Sequence, residues 1–445
     1  MNVFTSGNDG RMASSYVRVF RISGMGAREK ERITRRAEGE IETARAKARK
    51  IVEDVKARGD RALLDYTEKF DGVKLRSSKL RVSARETRNA YSRIDVGLLR
   101  ALRRAARNIR RFHQKQVPRE YWIEVEKGVR VGRRAVPVDV AGVYVPGGKA
   151  RYPSVILMLA IPARIAGVRR IIACTPPREN GKVDEATLVA ADIAGVDEVY
   201  RVGGAQAIAA MAYGTKTIPR ADVIAGPGNP YVCAAQRMLR DVARIDFPPG
   251  PSEGMVLADG RANPLFVAAD VLSEAEHGSD SAGILVTDSE ELARSVGKRL
   301  EKMMRELPEP RGEYVRETMR KYGALLIADN FEEAVDFVNE YAPEHLVLNV
   351  KRPRAVLKKI RSAGTVCLGA YSPITLGNFI AGPNAILPTG GFARRFSGVS
   401  VDTFLKRQTV ERASRRGLGR VARDVVAMCG YEGFPAHARS IEVRL

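Results

Sequence analysis

Short apolar runs alternate with helical patterns through the middle of the chain. Strand-like segments lie at 139–145, 170–174, 198–202, 222–225 and 244–247, and the alternation restarts at 255–258, 284–287, 324–328, 346–350 and 365–368. Strands that alternate with helices every ~25–30 residues are typical of βαβ units and a parallel sheet. The pattern therefore predicts an α/β protein with two doubly wound, Rossmann-like parallel-sheet domains, and it leaves room for the first to be inserted into the second.

The remaining segments set the predicted boundaries. Residues 1–26 contain Ser, Gly and Asn with little pattern, which predicts a poorly ordered N-terminus. Helical patterns after residue 27 and a hairpin at 121–137 predict an N-terminal helical part, 27–130, joined to the second α/β domain. The two α/β domains are then 131–248 and 249–389. Helical patterns at 401–406 and 418–428 predict a helical tail over 390–445.

One predicted helix carries the first candidate site. Asn263 can cap it, Pro264 suits its first turn and Gly278 suits its end. Glu274 and His277 are three residues apart, so they project from one face with roughly 5–6 Å between their β-carbons. A carboxylate and an imidazole placed in this way can share one divalent metal ion. A solvated or capped pair near the helix C-terminus is the alternative, and from these residues alone it is the favoured one.

Three turns that follow predicted strands are rich in glycine. They are Tyr144-Val-Pro-Gly-Gly-Lys149, Gly203-Gly-Ala-Gln206 and Gly226-Pro-Gly-Asn229. Ligands of open α/β sheets bind at such turns, and Pro230 opens a helix whose N–H groups suit a phosphate. None matches G-x-G-x-x-G, and tight turns need glycine in any case. The three turns together make a nucleotide site and purely structural turns about equally good interpretations.

Acids and imidazoles gather in two further stretches. A predicted helix over 331–341 ends at Ala342-Pro-Glu344-His345, which places Glu344 beside His345 in a turn before a strand. The tail contains Glu432 and His437. Three of the chain's four histidines therefore fall in stretches that carry candidate chemistry.

Composition and charge narrow the class of protein. The hydrophobic content of 44% and charged content of 29% are typical of a globular protein, and no apolar run approaches the ~20 residues of a membrane span. The N-terminus lacks the layout of a secretory signal, so we expect a cytoplasmic enzyme without a membrane partner. The net charge of +23 would suit nucleic acid. However, the basic residues are spread over many helices and no basic groove with interleaved aromatic residues is apparent, which predicts no nucleic-acid partner. The four cysteines are far apart and predict free thiols.

Several motifs resemble the histidinol dehydrogenase family, in order from about residue 120 to the C-terminus. Besides the three glycine turns they are Gly250-Pro-Ser-Glu253, Ala275-Glu-His-Gly278, Ala342-Pro-Glu-His-Leu346 and Asn384 with Leu387-Pro-Thr389. The resemblance implies oxidation of L-histidinol to L-histidine through the aldehyde, as the last steps of histidine biosynthesis, with two NAD+ per turnover. It also implies bound zinc and a homodimer with shared active sites, in which the C-terminal segment crosses to the partner subunit.

The resemblance assigns roles residue by residue. Tyr144, Gln206 and Asn229 would contact NAD. His345 would be the general base that takes the alcohol proton, which suits an imidazole with an unperturbed pKa of ~6.5. Glu344 would activate water in the aldehyde step. The zinc set would be Glu274, His277, Asn378 and His437; the substrate would contact Ser252, Glu274, His277, His345, Asn378, Glu432 and His437.

Three positions depart from the family pattern. Glu274 stands where the family has glutamine, Asn378 where it has aspartate, and Ala385 where it has histidine. The first two changes exchange carboxylate and amide and leave the summed ligand charge the same, which predicts a relocated zinc ligand. Ala385 keeps open a related zinc dehydrogenase that acts on another small polar alcohol. A different class, a basic nucleic-acid-binding protein on a disabled dehydrogenase fold, is the remaining alternative.

Overall fold

The computed structural model describes residues 16–36, 38–148, 150–246 and 250–445. Within these ranges the strands are β1 (Val19–Arg21), β2 (Tyr121–Glu126), β3 (Val129–Pro137), β4 (Val140–Tyr144), β5 (Arg170–Thr175), β6 (Glu198–Arg201), β7 (Val223–Ala225), β8 (Glu253–Ala258), β9 (Ala282–Thr287), β10 (Ala324–Ile327), β11 (His345–Asn349), β12 (Thr365–Leu368) and β13 (Leu405–Ala413). The helices are α1 (Ala27–Arg35), α2 (Glu38–Arg58), α3 (Asp60–Asp71), α4 (Ala84–Tyr91), α5 (Val96–Gln114), α6 (Pro153–Ala166), α7 (Glu185–Ala194), α8 (Gly204–Tyr213), α9 (Pro230–Met238), α10 (Pro264–Ala275), α11 (Glu290–Glu306), α12 (Arg311–Lys321), α13 (Phe331–Tyr341), α14 (Pro353–Leu357), α15 (Ile374–Leu376), α16 (Arg415–Glu432) and α17 (Pro435–Glu442).

The first parallel sheet has the strand order β6-β5-β4-β7. Side chains of these strands alternate between two apolar layers. Val143 and Ala173 pack with helices α5, α6 and α7, whereas Tyr144 and Cys174 pack with α2, α8 and α9. Because both faces are covered, all residues of these strands except the first of β4 and of β5 are buried, as is typical of parallel sheets. The strand order reverses between β4 and β7, and a crevice for ligands is expected at such a reversal.

The second parallel sheet has the order β1-β10-β9-β8-β11-β12. Its strands also divide their side chains between two layers, with Val256 and Leu285 on one face and Met255 and Ile284 on the other. Two parallel sheets with helices on both faces confirm the predicted α/β class. They also place β8 and β11 side by side, in register from His345 opposite Gly254.

The segment 1–26, which the sequence pattern predicts to be poorly ordered, contains a strand in its described part. Residues 19–21 form β1, which pairs in parallel with β10 at the edge of the second sheet. Three residues are too few for a sequence pattern, and the strand forms because the β10 edge supplies the hydrogen-bonding partner. Residues 1–15 lie outside the described residues.

A small antiparallel sheet of order β13-β3-β2 corrects one part of the predicted helical tail. The stretch 401–406 was predicted as helix, but residues 401–404 form one 3₁₀ turn and Leu405–Ala413 is a strand. This strand pairs with β3 from Leu405 opposite Pro137 to Ala413 opposite Val129. Its charged sequence gives a weak strand signal, and the long pairing with β3 decides its conformation. The predicted strand at 244–247 is reduced to a bridge between Arg244 and Val223, with residue 247 outside the described ranges.

Two further findings concern membrane-spanning helices and the cysteines. No helix in the described ranges is long and apolar enough to cross a membrane, and the cytoplasmic location stays a prediction. The four cysteines are free, as predicted, with Cys174 and Cys233 fully buried.

Candidate active site

A cleft of about 1380 Å³ lies at the carboxyl ends of the strands of the first sheet. Tyr144 ends β4 at its floor, and its buried hydroxyl accepts a hydrogen bond of 3.0 Å from the N–H of Gly204, the first residue of α8. Burial raises the pKa of the Tyr144 hydroxyl, so it remains protonated. At Gly226, φ is +143° and a β-carbon would lie 2.1 Å from the Tyr144 carbonyl oxygen. Glycine is therefore required where the two turns meet.

Helix N-termini face the same cleft. The Asn229 side chain caps α9 by accepting hydrogen bonds of 3.1 Å from the N–H groups of Tyr231 and Val232. Gln206 lies in the first turn of α8, and its side-chain oxygen is buried without a hydrogen-bond partner. Tyr144, Gln206 and Asn229 thus line one cleft. Because helix N-termini attract anions, this cleft suits a phosphate-bearing cofactor.

Asp71 is a residue of this cleft that the sequence analysis missed. It ends α3, its Oδ2 atom is buried without a partner, and burial raises its pKa to about 6. An unmatched acceptor in a cleft favours a ligand that brings a hydroxyl or amine donor. In the sequence, Asp71-Gly72 reads only as the end of a helix, so nothing there pointed to a ligand.

A second cavity, of about 800 Å³, borders the cleft. Gly147, Gly148 and Asn229 line both, so the two spaces meet at the β4 and β7 turns. The polar side of the second cavity contains predicted site residues from separate parts of the chain, namely Ser252, Glu274, His277, Glu344, His345 and Asn378. Its opposite wall is apolar and includes Leu102 of α5. Asp280 and Arg311 also line this cavity, and no motif drew attention to either of them.

Glu344 and His345 lie where α13 gives way to β11, and both are buried. Glu344 Oε2 accepts a hydrogen bond of 2.9 Å from the Glu253 N–H, and Glu344 Oε1 lies 3.8 Å from His345 Nε2. Burial, and next the charge of Glu274, raises the pKa of Glu344 well above its ordinary value. Burial lowers the pKa of His345, which favours its neutral form. A carboxylate of raised basicity beside a neutral imidazole is suited to proton transfer near neutral pH.

Glu274, His277 and Asn378 form a second group on the cavity wall. Glu274 Oε1 accepts a hydrogen bond of 3.2 Å from Asn378 Nδ2, and Glu274 Oε2 lies 3.6 Å from His277 Nε2. Asn378 Oδ1 is buried without a partner. The three side chains offer oxygen, nitrogen and oxygen donors, and zinc accepts all three at ~2.0–2.2 Å. These donors fit a zinc ion. Coordination to the ion would give Asn378 Oδ1 the partner that it lacks.

The fourth expected ligand, His437, does not lie with these three side chains. Among the residues that the structure describes, no three His, Cys, Asp or Glu side chains gather so that they could hold a metal ion. Glu432 at the end of α16 and His437 in α17 are exposed and do not line the cavity. The structure therefore brings together Glu274, His277 and Asn378 but leaves His437 apart.

A cleft that suits a phosphate-bearing cofactor opens into a cavity whose side chains suit acid–base chemistry and metal binding, an arrangement expected of an α/β oxidoreductase. The family model for histidinol dehydrogenase matches residues 34–445. The chain is 43% identical over 427 residues to the histidinol dehydrogenase of Methanothermobacter thermautotrophicus, covering 96% of this chain and 99% of the relative. It is also 43% identical over 428 residues to that of Synechocystis sp., with 96% and 99% covered. The crystal structure of histidinol dehydrogenase from Elizabethkingia anophelis superposes with a TM-score of 0.87 at 37% identity, covering 97% of this chain and 98% of that chain.

The chain belongs to the histidinol dehydrogenase family. Members of this family are NAD-dependent oxidoreductases that contain zinc. The resemblance predicted from the motifs is confirmed.

Proposed function

We propose that this chain oxidises L-histidinol to L-histidine through L-histidinaldehyde, with NAD as the oxidant in both steps. Family membership supports the reaction. The observation that carries the proposal is the shared border at Gly147, Gly148 and Asn229, where the cofactor cleft meets the cavity that contains Glu344 and His345. A hydride can pass only between groups in contact, and this border is where the nicotinamide and an alcohol carbon can meet.

In this proposal Tyr144, Gln206 and Asn229 bind the cofactor. The amide of Asn229 fixes the start of α9, whose N-terminal end favours the pyrophosphate. Tyr144 remains a neutral hydroxyl on the cleft floor, and the unmatched Gln206 side chain can pair with a polar group of the cofactor.

His345 acts as the general base of the first oxidation and takes the proton from the alcohol oxygen as the hydride leaves carbon. Burial favours the neutral imidazole that this role requires. Glu344 then takes a proton from the water that adds to the aldehyde, and the second hydride leaves the resulting hydrate. Its raised pKa makes Glu344 a stronger base than an exposed carboxylate.

Glu274, His277 and Asn378 would hold zinc, and His437 of a second subunit would complete the set. When bound, the ion would act as a Lewis acid that holds and orients the nitrogen groups of the substrate. Ser252, which lines the cavity at the start of β8, would bind the substrate with these residues, and Glu432 of the second subunit would face its ammonium group.

A homodimer with shared active sites is part of this proposal. Large apolar side chains are exposed on strand β2, on helix α16 and at the connection to α17, including Trp122, Met428 and Phe434, and Tyr431 is 95% exposed. Exposed apolar side chains that lie close together, such as Met428, Tyr431 and Phe434 along the C-terminal segment, are typical of interaction surfaces. These residues lie on the same C-terminal segment as Glu432 and His437, which supports delivery of both residues to the cavity of a partner.

The test is NADH stoichiometry on the zinc-loaded protein. With limiting L-histidinol and excess NAD, we expect two NADH for each L-histidine formed. One NADH with accumulated aldehyde would contradict the two-step proposal.

A second candidate rests on Ala385, which lines the cavity. An imidazole at this position would offer a hydrogen bond and an alanine offers none, so a related small polar alcohol is the alternative substrate. Parallel assays with a panel of amino and sulfonated alcohols decide between them. A higher kcat/KM for another alcohol than for L-histidinol would favour the alternative.

A further inference from the structure

Arg36, a residue that no motif singled out, is buried behind the acid–base pair. Its side chain is 5% exposed and its Nε lies 3.0 Å from Glu253 Oε1, whose side chain is 4% exposed. The guanidinium also lies 3.6 Å above the Tyr341 ring, and its Nη2 donates a hydrogen bond to the Tyr341 carbonyl oxygen. Burying a charge is costly unless it is paired, so this arrangement must be maintained by a specific set of contacts.

The partners of Arg36 are the two segments that define the position of Glu344. Tyr341 ends α13, and Ala342 follows with φ of +54°, so the chain turns sharply just before Pro343 and Glu344. On the other side, the Glu253 N–H donates the 2.9 Å hydrogen bond to Glu344 Oε2. Arg36 therefore contacts the backbone that leads into Glu344 and also the residue that holds its carboxylate.

Glu253 extends the same link to the cavity wall. Its Oε1 accepts a hydrogen bond of 2.7 Å from the Gly390 N–H, which anchors the segment that contains Ala385 and Leu387. Arg36 also neutralises the carboxylate of Glu253, which would otherwise stand uncompensated next to Glu344.

From these contacts we infer that Arg36 and Glu253 are positioning residues for the aldehyde step, because together they hold the Glu344 carboxylate toward the cavity. The inference rests on the proposed role of Glu344 in that step. A merely structural pair would affect both oxidations alike, whereas a pair that positions Glu344 affects the second oxidation more.

The experiment measures the two oxidations separately, with L-histidinol and with L-histidinaldehyde as substrates. Arg36→Met removes the charge at similar length, and we expect it to slow aldehyde oxidation by roughly 10- to 100-fold, the cost of a misplacement near 1 Å. Alcohol oxidation should slow by less than about threefold. Glu253→Gln keeps the backbone N–H and leaves Arg36 unpaired, so it should give the same split. Arg35→Met is the matched control, since Arg35 is adjacent and its side chain is 71% exposed, and both rates should be unchanged.

Equal slowing of both steps, or an unchanged aldehyde rate in folded Arg36→Met, overturns the inference. If a single variant is insoluble, the double variant Arg36→Met/Glu253→Gln, which leaves no unpaired charge, replaces it and must show the same split. Glu344→Gln is measured alongside. If Glu344→Gln slows aldehyde oxidation more than alcohol oxidation but the Arg36 and Glu253 variants do not, only the inference is refuted. If Glu344→Gln slows both oxidations equally, the proposed role of Glu344 is refuted and the inference with it.

Discussion

The two parallel sheets face the candidate site with opposite ends. The first sheet presents the carboxyl ends of β4 and β7 and the N-termini of α8 and α9, with Tyr144 and Asn229 at the border. The second presents the starts of β8 and β11, with Glu253 and His345 as first residues, and the C-terminal ends of α10 and α13. The general expectation that ligands bind beyond strand carboxyl ends therefore applies to only one half of the site.

This difference places partial positive charge on one side of the site and partial negative charge on the other. Helix N-termini carry partial positive charge and helix C-termini partial negative charge, each worth ~0.3–1 kcal/mol toward an opposite charge at exposed sites and up to ~2 kcal/mol when partly buried. The first sheet thus favours cofactor phosphates, and the second favours cations such as zinc or a substrate ammonium. The buried carboxylate of Glu274 adds to the negative side.

The largest effect should come from substitutions in the half of the site that the second sheet provides. His345→Ala removes the proposed general base of the first oxidation. With L-histidinol as substrate it should slow both oxidations by about 10²–10⁴-fold, because the aldehyde forms only through the first one. Glu344→Gln should impair aldehyde oxidation more than alcohol oxidation, because only that step needs activated water. NADH binding, followed by fluorescence titration, should stay at the parent value in both variants, since neither residue lines the first cleft. Equal losses from Glu344→Gln in both steps would remove the role assignment.

A smaller effect should follow from exchanging the carboxylate and the amide at positions 274 and 378, two of the proposed metal ligands. Glu274→Gln leaves no carboxylate among the ligands of this chain and should weaken zinc binding by ~10- to 100-fold, the range known for lost supporting groups at metal sites. Asn378→Asp alone would place two carboxylates in contact, since Asn378 Nδ2 now donates to Glu274 Oε1. The double variant should recover much of the affinity, which gives a large non-additive term.

Chelator competition measures zinc affinity for the parent, both single variants and the double variant. Glu276→Gln, with the same change of charge two residues further along the chain, is the control and should bind zinc like the parent. If Glu274→Gln does so too, residue 274 is not a ligand and the exchange of carboxylate and amide has another cause.

The two halves of the site also differ in how much of their structure the sequence predicts. The glycine turns of the first sheet follow from local rules, since strand, turn and helix N-terminus are adjacent in the chain and Gly226 has no room for a side chain. The second half depends on distant contacts. Nothing local shows that Arg36 reaches Glu253, that Asp71 reaches the cofactor cleft, or that residues 405–413 pair with β3. The family motifs identified Glu274, His277 and Asn378, but only the fold shows that they meet.

The smallest expected signal tests whether the cation-binding half of the site is complete within one chain. His345 is buried in the cavity whereas His437 is exposed on α17, so the proposed dimer must place His437 of one subunit beside His345 of the other. In a hybrid of His345→Ala and His437→Ala chains, one site then carries both defects and the other carries none. Random exchange of equal amounts makes half the dimers hybrid, so activity should return to about a quarter of the parent value. Mixing His345→Ala with His277→Ala is the control and should restore nothing, because both residues come from the same chain's cavity wall. Subunit exchange is verified by native mass spectrometry, and absence of recovery in verified hybrids would mean that His437 does not serve the partner's site.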